Sequence, residues 1–149
     1  MDRRSFLKGS CKACLLMSAG MMLGASFLEG CAGLGGSVLK ASAVGGKIRL
    51  PVSDFAMQKT RLVRVSDYEY DIAVREISEG NFLALLMKCT HAGQPLTKTG
   101  SGFYCTLHGS RFSPTGIVEN GPASQPLAHL PVVMESGQLV LTLIDPSKV

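Results

Sequence analysis

The sequence predicts an all-β domain over residues 47–149, and three observations lead to this fold class. Apolar and polar residues alternate at Ile48, Leu50 and Val52, as they do in a strand with one buried face. Residues 82–87 form a continuous apolar run, which is typical of a strand buried on both faces. No ten-residue stretch of this region has the periodicity of an amphipathic helix.

The predicted strands follow one another with turn-forming residues between them. They are expected at 48–52, 62–65, 72–74, 82–87, 132–134 and 138–144. The polar segment 67–70 separates the second strand from the third, and the turn 79–81 precedes the fourth. Glu135, Ser136 and Gly137 connect the last two strands, so the C-terminal segment is expected to form a hairpin.

Two short segments of this domain carry metal-ligating residue types. Cys89 and His91 lie in the first segment, and Cys105 and His108 lie in the second. Thiolates and imidazoles together suit an iron–sulfur centre, although two cysteines and two histidines can also bind a structural zinc ion. Zinc fingers usually take both cysteines from one segment and both histidines from a later one. Here each segment supplies one of each, which favours iron and sulfide.

The residues around these four ligands resemble those of the Rieske family of iron–sulfur proteins. Residues 89–93 are Cys-Thr-His-Ala-Gly, residues 105–112 are Cys-Thr-Leu-His-Gly-Ser-Arg-Phe, and Gly121-Pro122-Ala123 follow. The resemblance covers roughly residues 82–142. It implies one Rieske-type 2Fe-2S cluster, with Cys89 and Cys105 on the inner iron and His91 and His108 on the outer iron.

The resemblance also implies an architecture and a set of residues that tune the cluster. The base is expected to be an antiparallel β-sandwich, with a small cluster-binding subdomain at about residues 88–124. Ser110 occupies the position of a family serine that donates to a bridging sulfide, although serine is also a common turn residue. The segment Gly121, Pro122 and Ala123 resembles the family's proline loop, which covers the cluster; a simple β-turn is the alternative.

Three residues depart from the pattern of the Rieske proteins of cytochrome bc complexes. Gln94 and Leu107 stand where those proteins have a disulfide-bonded pair of cysteines. Phe112 stands where high-potential members have a tyrosine that donates to a ligand sulfur. A missing donor disfavours the reduced, more negative cluster, so a midpoint potential below the top of the Rieske range is expected.

The first 31 residues predict an export signal that could also serve as a membrane anchor. Asp2-Arg3-Arg4-Ser5-Phe6-Leu7-Lys8 resembles the twin-arginine signal, and the apolar residues 13–28 predict an N-terminal helix. Sixteen residues span about 24 Å as a helix, which is short of a hydrocarbon core of roughly 30 Å. Flanking residues can nevertheless snorkel, and the resemblance to bacterial Rieske subunits implies that such a segment can stay uncleaved as the anchor. The expected location is therefore a bacterial cell membrane, with the Rieske domain on the periplasmic, extracytoplasmic side.

The leader sequence allows three mature N-termini. The segment 1–31 can be retained as a membrane tether, lipidated at Cys31 or removed by cleavage after Ala43. Residues 32–46 are mostly small and predict a flexible hinge with a span of roughly 20 Å, or an ordinary spacer. Cys11 and Cys14 lie in the leader, and after residue 46 the only cysteines in the sequence are the two predicted ligands.

The charge of the chain excludes nucleic acid as an expected partner. The formal net charge is +4, but from Val44 onward ten Lys or Arg face nine Asp or Glu. This near-neutral region has no basic run and no series of stacking aromatic residues. His129 has no neighbouring cysteine and is expected at the surface or in the core.

Three functions fit these features. The favoured one is an electron carrier that accepts electrons from quinol and passes them to a cytochrome, with cytochrome b-type and c-type subunits as partners. The second is the small Rieske subunit of a periplasmic oxidase resembling arsenite oxidase. The third is a redox-sensing metal-binding lipoprotein. The chain shows no nucleophile or acid–base pair beside the cluster, so catalysis is expected to belong to a larger oxidoreductase complex.

Overall fold

A computed structural model describes residues 38–149, and strands dominate this part of the chain. The strands are β1 Leu39–Ala41, β2 Lys47–Pro51, β3 Thr60–Val65, β4 Ile72–Ser78, β5 Asn81–Leu86, β6 Thr97–Lys98, β7 Phe103–Tyr104, β8 Arg111–Phe112, β9 Val118–Asn120, β10 His129–Leu130, β11 Val132–Glu135 and β12 Gln138–Thr142. Two short 3-10 helices span Val52–Phe55 and Pro146–Lys148. The predicted all-β class is confirmed.

The predicted leader lies outside the described residues. This applies to the twin-arginine signal, to the apolar helix at 13–28 and to Cys31. Within residues 38–149, no helix has the length and apolar character needed to cross a membrane.

Two sheets pack against each other to form the base of the domain. The first has the strand order β1-β3-β4-β5-β10, and the second has the order β11-β12-β2. The residues that fill the space between them are mostly branched aliphatic: Ile48, Leu50, Val63, Val65, Ile72, Val74, Ala84, Leu86, Leu130, Leu139 and Leu141, with Phe55 and Tyr70. Aliphatic side chains of this kind pack well on a pleated surface and stabilise the sandwich by leaving water.

The C-terminal hairpin is confirmed as β11 and β12. Ser136 and Gly137 connect the two strands with φ angles of 48° and 77°. Two successive positive φ angles are typical of the type I′ turn that matches the twist of a tight hairpin. On its other side β12 pairs with β2, which places Leu139 opposite Leu50 and Leu141 opposite Ile48.

Strand β5 separates the base core from a second hydrophobic core. Its residues Ala84 and Leu86 belong to the base core, whereas Leu85 and the following Met87 belong to the second. Successive side chains of a strand point to opposite faces, so a strand between two cores must be apolar throughout. This confirms the interpretation of 82–87 as a strand buried on both faces.

The second core lies against a small antiparallel sheet with the order β6-β7-β8-β9. This sheet falls within the predicted cluster-binding subdomain, 88–124. Phe103 of β7 and Phe112 of β8 are register partners, and both are buried. Gly116 is needed where the chain crosses this core, because a Cβ there would lie 3.0 Å from Leu85 Cδ2 and its φ is 85°.

The structure differs from the sequence prediction at the N-terminal edge of the base. Residues 39–41, predicted as part of a flexible hinge, form β1 and pair with β3 from Leu39↔Val63 to Ala41↔Val65. This pairing is parallel, whereas the base was expected to be antiparallel throughout. Leu39 and Ala41 pack against the base core, and this apolar contact explains why a segment of small residues joins the sheet.

Candidate metal centre

Both predicted cysteine ligands extend the alternation of a strand that faces the second core. Met87 and Cys89 are two residues apart after β5, and Phe103 and Cys105 are two residues apart at the end of β7. All four side chains are buried in the same core. The period of two therefore carries each thiol to the same side of the molecule as the apolar residue before it.

The loops that follow the two cysteines have matching backbone hydrogen bonds. In the first ligand loop, residues 89–94, Cys89 N–H donates to Gln94 O at 2.8 Å and Gly93 N–H donates to Cys89 O at 2.8 Å. In the second ligand loop, residues 105–110, the same bonds join Cys105 to Ser110 at 2.9 Å and Gly109 to Cys105 at 3.0 Å. Each loop is thus a compact turn closed on its cysteine.

A glycine with positive φ closes each turn. The φ angles are 68° at Gly93 and 82° at Gly109, in the left-handed region that other residues reach only at a cost. These two glycines explain why both segments end in Gly after the histidine. Their similar conformations make the two loops counterparts of each other.

The two predicted histidine ligands meet at the surface above the buried cysteines. The ring centroids of His91 and His108 are 5.1 Å apart, and the rings cross at 76°. Both histidines are exposed, whereas Cys89 and Cys105 are each only 1% exposed. The donor set is therefore divided into a buried thiol pair and an exposed imidazole pair, which fits a cluster with one iron inside and one iron outside.

The same side chains do not converge on one point. Within residues 38–149, no group of three or more His, Cys, Asp or Glu side chains is close enough together to hold a single metal ion. Two pairs are the arrangement that a binuclear cluster needs, since each of its irons takes two protein ligands.

Hydrogen-bond donors surround the sulfur of Cys89. Burial acts to raise the pKa of the Cys89 thiol, but the N–H groups of His91 and Ala92, the Cys105 thiol and the Ser110 hydroxyl outweigh it and lower that pKa below its ordinary value. The environment therefore favours the thiolate, which is the form that ligates iron.

The predicted tuning residues lie beside this thiol pair. Ser110 is fully buried, and its Oγ accepts a hydrogen bond from Ala123 N–H at 3.1 Å. That bond leaves the Ser110 hydroxyl proton free to point at sulfur, and it ties the second ligand loop to the predicted proline loop. Gly121 and Pro122 are exposed, while Ala123 is buried in the second core.

Phe112 and the two replaced cysteine positions are also placed by the structure. Phe112 is 1% exposed and shares the second core with Cys89 and Cys105. Gln94 and Leu107 are exposed, and Leu107, which directly precedes His108, is 53% exposed. Cys89 and Cys105 are not joined to each other as a disulfide, so both thiols are available as ligands.

Several contacts that support the ligand loops are not predicted by the sequence. Tyr70 Oη donates to Gly93 O at 2.8 Å, and Thr90 Oγ1 donates to Gln125 O at 2.7 Å. Asn120 Nδ2 lies 3.4 Å from Gly109 O. These partners are separated by 11 to 35 residues in sequence, and neither spacing nor composition signals such contacts.

Comparisons with known proteins place this site in a family. The family model for the Rieske [2Fe-2S] domain matches residues 48–131. The chain is 28% identical over 154 residues to cytochrome b6-f complex iron-sulfur subunit 1 of Synechocystis, covering 95% of this chain and 85% of that protein. It is 31% identical over 91 residues to the ubiquinol-cytochrome c reductase iron-sulfur subunit of Rickettsia typhi, covering 59% of this chain and 51% of that protein.

A solved structure has the same fold. The cyanobacterial plasma membrane Rieske protein PetC3 from Synechocystis PCC 6803 aligns with a TM-score of 0.51 at 21% identity, over 62% of this chain and 94% of that one. The family match identifies the cofactor as one Rieske-type 2Fe-2S cluster. It thereby decides against the structural zinc ion, which the ligand types alone also allowed.

Proposed function

We propose, from the premise that this chain belongs to the Rieske [2Fe-2S] domain family, that it carries single electrons from quinol to a cytochrome within a membrane complex of the bc type. The observation that carries the proposal is the exposed His91–His108 pair above two buried thiols. The relatives support the choice of complex, because their names place them in cytochrome b6-f and ubiquinol-cytochrome c reductase assemblies.

In this proposal the four predicted ligands hold the cluster in pairs. Cys89 and Cys105 bind the inner iron, and His91 and His108 bind the outer iron. A bound 2Fe-2S cluster supplies one-electron redox chemistry, and two neutral imidazoles in place of two thiolates make it easier to reduce. The chain supplies buried sulfur ligands, the donors around them and an exposed pair of rings.

The exposed imidazoles are the feature that suits this centre to exchange electrons with a partner. Only the imidazole rings would separate the outer iron from a partner that reaches the ring edges of His91 and His108. Leu107 directly precedes His108 and is 53% exposed, so it offers an apolar contact next to the second ring. Quinol and a cytochrome can each use such a surface in turn, so one exposed site serves both transfers.

The donors around Cys89 set the redox level in this proposal. The N–H groups of His91 and Ala92 and the hydroxyl of Ser110 stabilise negative charge on the sulfurs, and so favour the reduced cluster. Phe112 provides no such donor. The expected midpoint potential is therefore positive of a cluster held by four thiolates but below that of relatives with a tyrosine at this position.

The membrane tether and the periplasmic location are part of the same proposal. They rest on the twin-arginine-like residues 2–8 and the apolar segment 13–28. Mass spectrometry of the mature protein tests them. A retained N-terminus or a lipid on Cys31 supports a tethered domain, whereas a product that begins at Val44 removes the tether.

Purification of the full chain with its partners from native membranes tests the proposed complex. We expect a cytochrome b-type subunit to copurify. We also expect quinol to reduce the Rieske cluster, seen as the appearance of its electron paramagnetic resonance (EPR) signal, and then the cytochrome. The matched control is the same complex with the His91→Ala variant. Copurification with a molybdenum-containing large subunit, or no reduction by quinol, contradicts the proposal.

A further inference from the structure

Tyr70 connects the base of the domain to the first ligand loop. It lies between β3 and β4, and its side chain belongs to the base core with 7% exposure. Its hydroxyl donates to the carbonyl of Gly93 at 2.8 Å. A tyrosine buried among aliphatic residues normally places its hydroxyl on a partner, and here the partner is a backbone atom of the site.

The acceptor is the residue that closes the first ligand loop. Gly93 N–H donates to Cys89 O at 2.8 Å, and Gly93 C=O accepts from the Tyr70 hydroxyl. Both backbone polar groups of Gly93 therefore have a partner. His91 and Ala92 lie between Cys89 and Gly93, and their N–H groups are the ones directed at the Cys89 sulfur. A shift of Gly93 would move these donors and the His91 ring together.

Lys88 also contacts the ring of Tyr70. Its ammonium lies 6.0 Å from the Tyr70 ring centroid, within the range of a cation–π contact. The same ammonium donates to Pro146 O at 2.6 Å and to the carbonyl of Val149. Lys88 directly precedes Cys89, so the ring, the loop and the C-terminal 3-10 helix form one continuous set of contacts.

The second ligand loop has a weaker counterpart of this contact. The carbonyl of Gly109 lies 3.4 Å from Asn120 Nδ2, a distance that is long for a hydrogen bond. The same Nδ2 lies closer to Gly121 O, at 3.0 Å. Asn120 belongs to β9 of the subdomain itself. The base therefore reaches the site through the Tyr70–Gly93 bond, whereas the second loop is held from within its own sheet.

We propose that Tyr70 is a positioning residue for the Rieske centre, acting through the carbonyl of Gly93 to hold His91 and the N–H donors to Cys89 in place. The proposal rests on the proposed function, since it assigns the first ligand loop to the cluster. It predicts that removal of one hydroxyl in the base changes the electronic environment and retention of the cluster.

Tyr68 offers a matched control two residues away. Its hydroxyl donates to Ile144 O at 2.9 Å, and Ile144 lies in the base rather than in a ligand loop. Tyr70→Phe and Tyr68→Phe therefore remove the same group and the same kind of hydrogen bond. The difference between them reports contact with the loop, because loss of one tyrosine-to-carbonyl bond is common to both.

The experiment compares both variants with the wild-type full chain carrying its cluster. The measurements are the EPR g-values, the midpoint potential, the rate of iron release to a chelator and stability in urea. We expect Tyr70→Phe to shift the g-values and potential and to release iron about tenfold faster, at the lower end of effects seen when outer partners of a metal site are removed. Tyr68→Phe should change only the stability.

Equal g-values, potentials and iron-release rates for Tyr70→Phe and Tyr68→Phe would overturn the proposal. If Tyr70→Phe does not fold, Lys88→Met decides, since it keeps the apolar stem and removes the ammonium that holds the ring. Faster iron release than in wild type then supports positioning, and an unchanged rate overturns it. A wild-type cluster signal without quinol oxidation would instead contradict only the proposed partners, because these measurements need no partner.

Discussion

The first and second ligand loops have the same internal hydrogen bonds but different supports. Both close on their cysteine through a glycine of positive φ. The first loop is bonded to the base by Tyr70 and to Gln125 by Thr90. The second is bonded through Ser110 to Ala123, within the cluster-binding subdomain. Equivalent local geometry thus depends on two separate parts of the molecule.

This comparison indicates how the domain can hold a cofactor between loops that lack a disulfide. Residues 94 and 107 are Gln and Leu rather than Cys, so no disulfide joins the loops at these positions. A disulfide typically contributes about 2 to 4 kcal/mol by restricting the unfolded chain. Here noncovalent anchors to two different elements, together with the proposed cluster ligands, stabilise the folded loops instead.

The largest expected effect tests whether both loops are equally necessary. His91→Ala and His108→Ala should each lower the amount of bound cluster by at least about tenfold, because each removes a proposed ligand from the outer iron. Iron and sulfide content with EPR spectra measures this. His129→Ala is the control, since His129 is exposed on β10 outside both loops. Retention of a normal cluster by either ligand variant would contradict the proposed pairs.

Removal of the second loop's main anchor should have the next largest effect. Ser110→Ala leaves the N–H of Ala123 without its acceptor and takes a donor from Cys89, so we expect a loss of about 1 to 3 kcal/mol in the free energy of unfolding. The midpoint potential should fall, by about 59 mV for each 1.4 kcal/mol of lost preference for the reduced form.

Ser113→Ala is the control for Ser110→Ala. Ser113 Oγ accepts hydrogen bonds from Thr115 N–H at 3.2 Å and Ile117 N–H at 3.1 Å, in the turn before β9. It should cost stability without lowering the potential. Redox titration and urea unfolding separate the two effects, and an equal fall in potential for both variants would show that Ser110 does not act on the sulfur.

Substitution of the two glycines tests whether the loops are equivalent. Gly93→Ala and Gly109→Ala should each lower the free energy of unfolding by about 1 to 2 kcal/mol, because both residues have φ angles in the left-handed region. Gly100→Ala, which has open space and no positive φ, should have little effect. Urea unfolding measures all three. A loss of unfolding free energy at only one of the two loop glycines would show that the two ligand loops are not equivalent.

The smallest expected effect concerns the apolar ring shared by both loops. Phe112→Tyr should raise the midpoint potential by less than about 59 mV, which corresponds to one weak hydrogen bond to sulfur. Phe103→Tyr is the control, since Phe103 is the register partner of Phe112 and is also buried. An unchanged potential in Phe112→Tyr, or an equal rise in Phe103→Tyr, would show that the hydroxyl position does not matter.

The strands that the sequence predicts well are those with a clear period. Strands β2, β4 and β5 and the β11–β12 hairpin follow from alternating or continuous apolar residues and from the Ser136-Gly137 turn. Strands β6 to β10 have only two or three residues, too few to establish a period. Leu39–Ala41 lies within the segment 32–46, whose mostly small residues resemble a linker, and only its pairing with β3 makes it a strand.

The predicted site residues come together in the structure for reasons that lie partly in the sequence. Cys89 follows the buried Met87 by two positions, and Cys105 follows the buried Phe103 by two positions, so the strand period places each thiol on the same side as the apolar residue before it. The contacts of Tyr70, Lys88 and Asn120 with the loops could not be predicted. They join residues that no local pattern links, and a single hydrogen bond leaves no trace in composition.

The sequence by itself determined the all-β character of the domain and predicted the ligand types and their division between two segments, because these depend on the strand period and on residue chemistry. Only the tertiary structure decided that the thiols are buried while the imidazoles are exposed, and that the base supports one loop while the subdomain supports the other. Burial and anchoring depend on which distant strands pack together, and packing is a property of the folded chain rather than of any local segment.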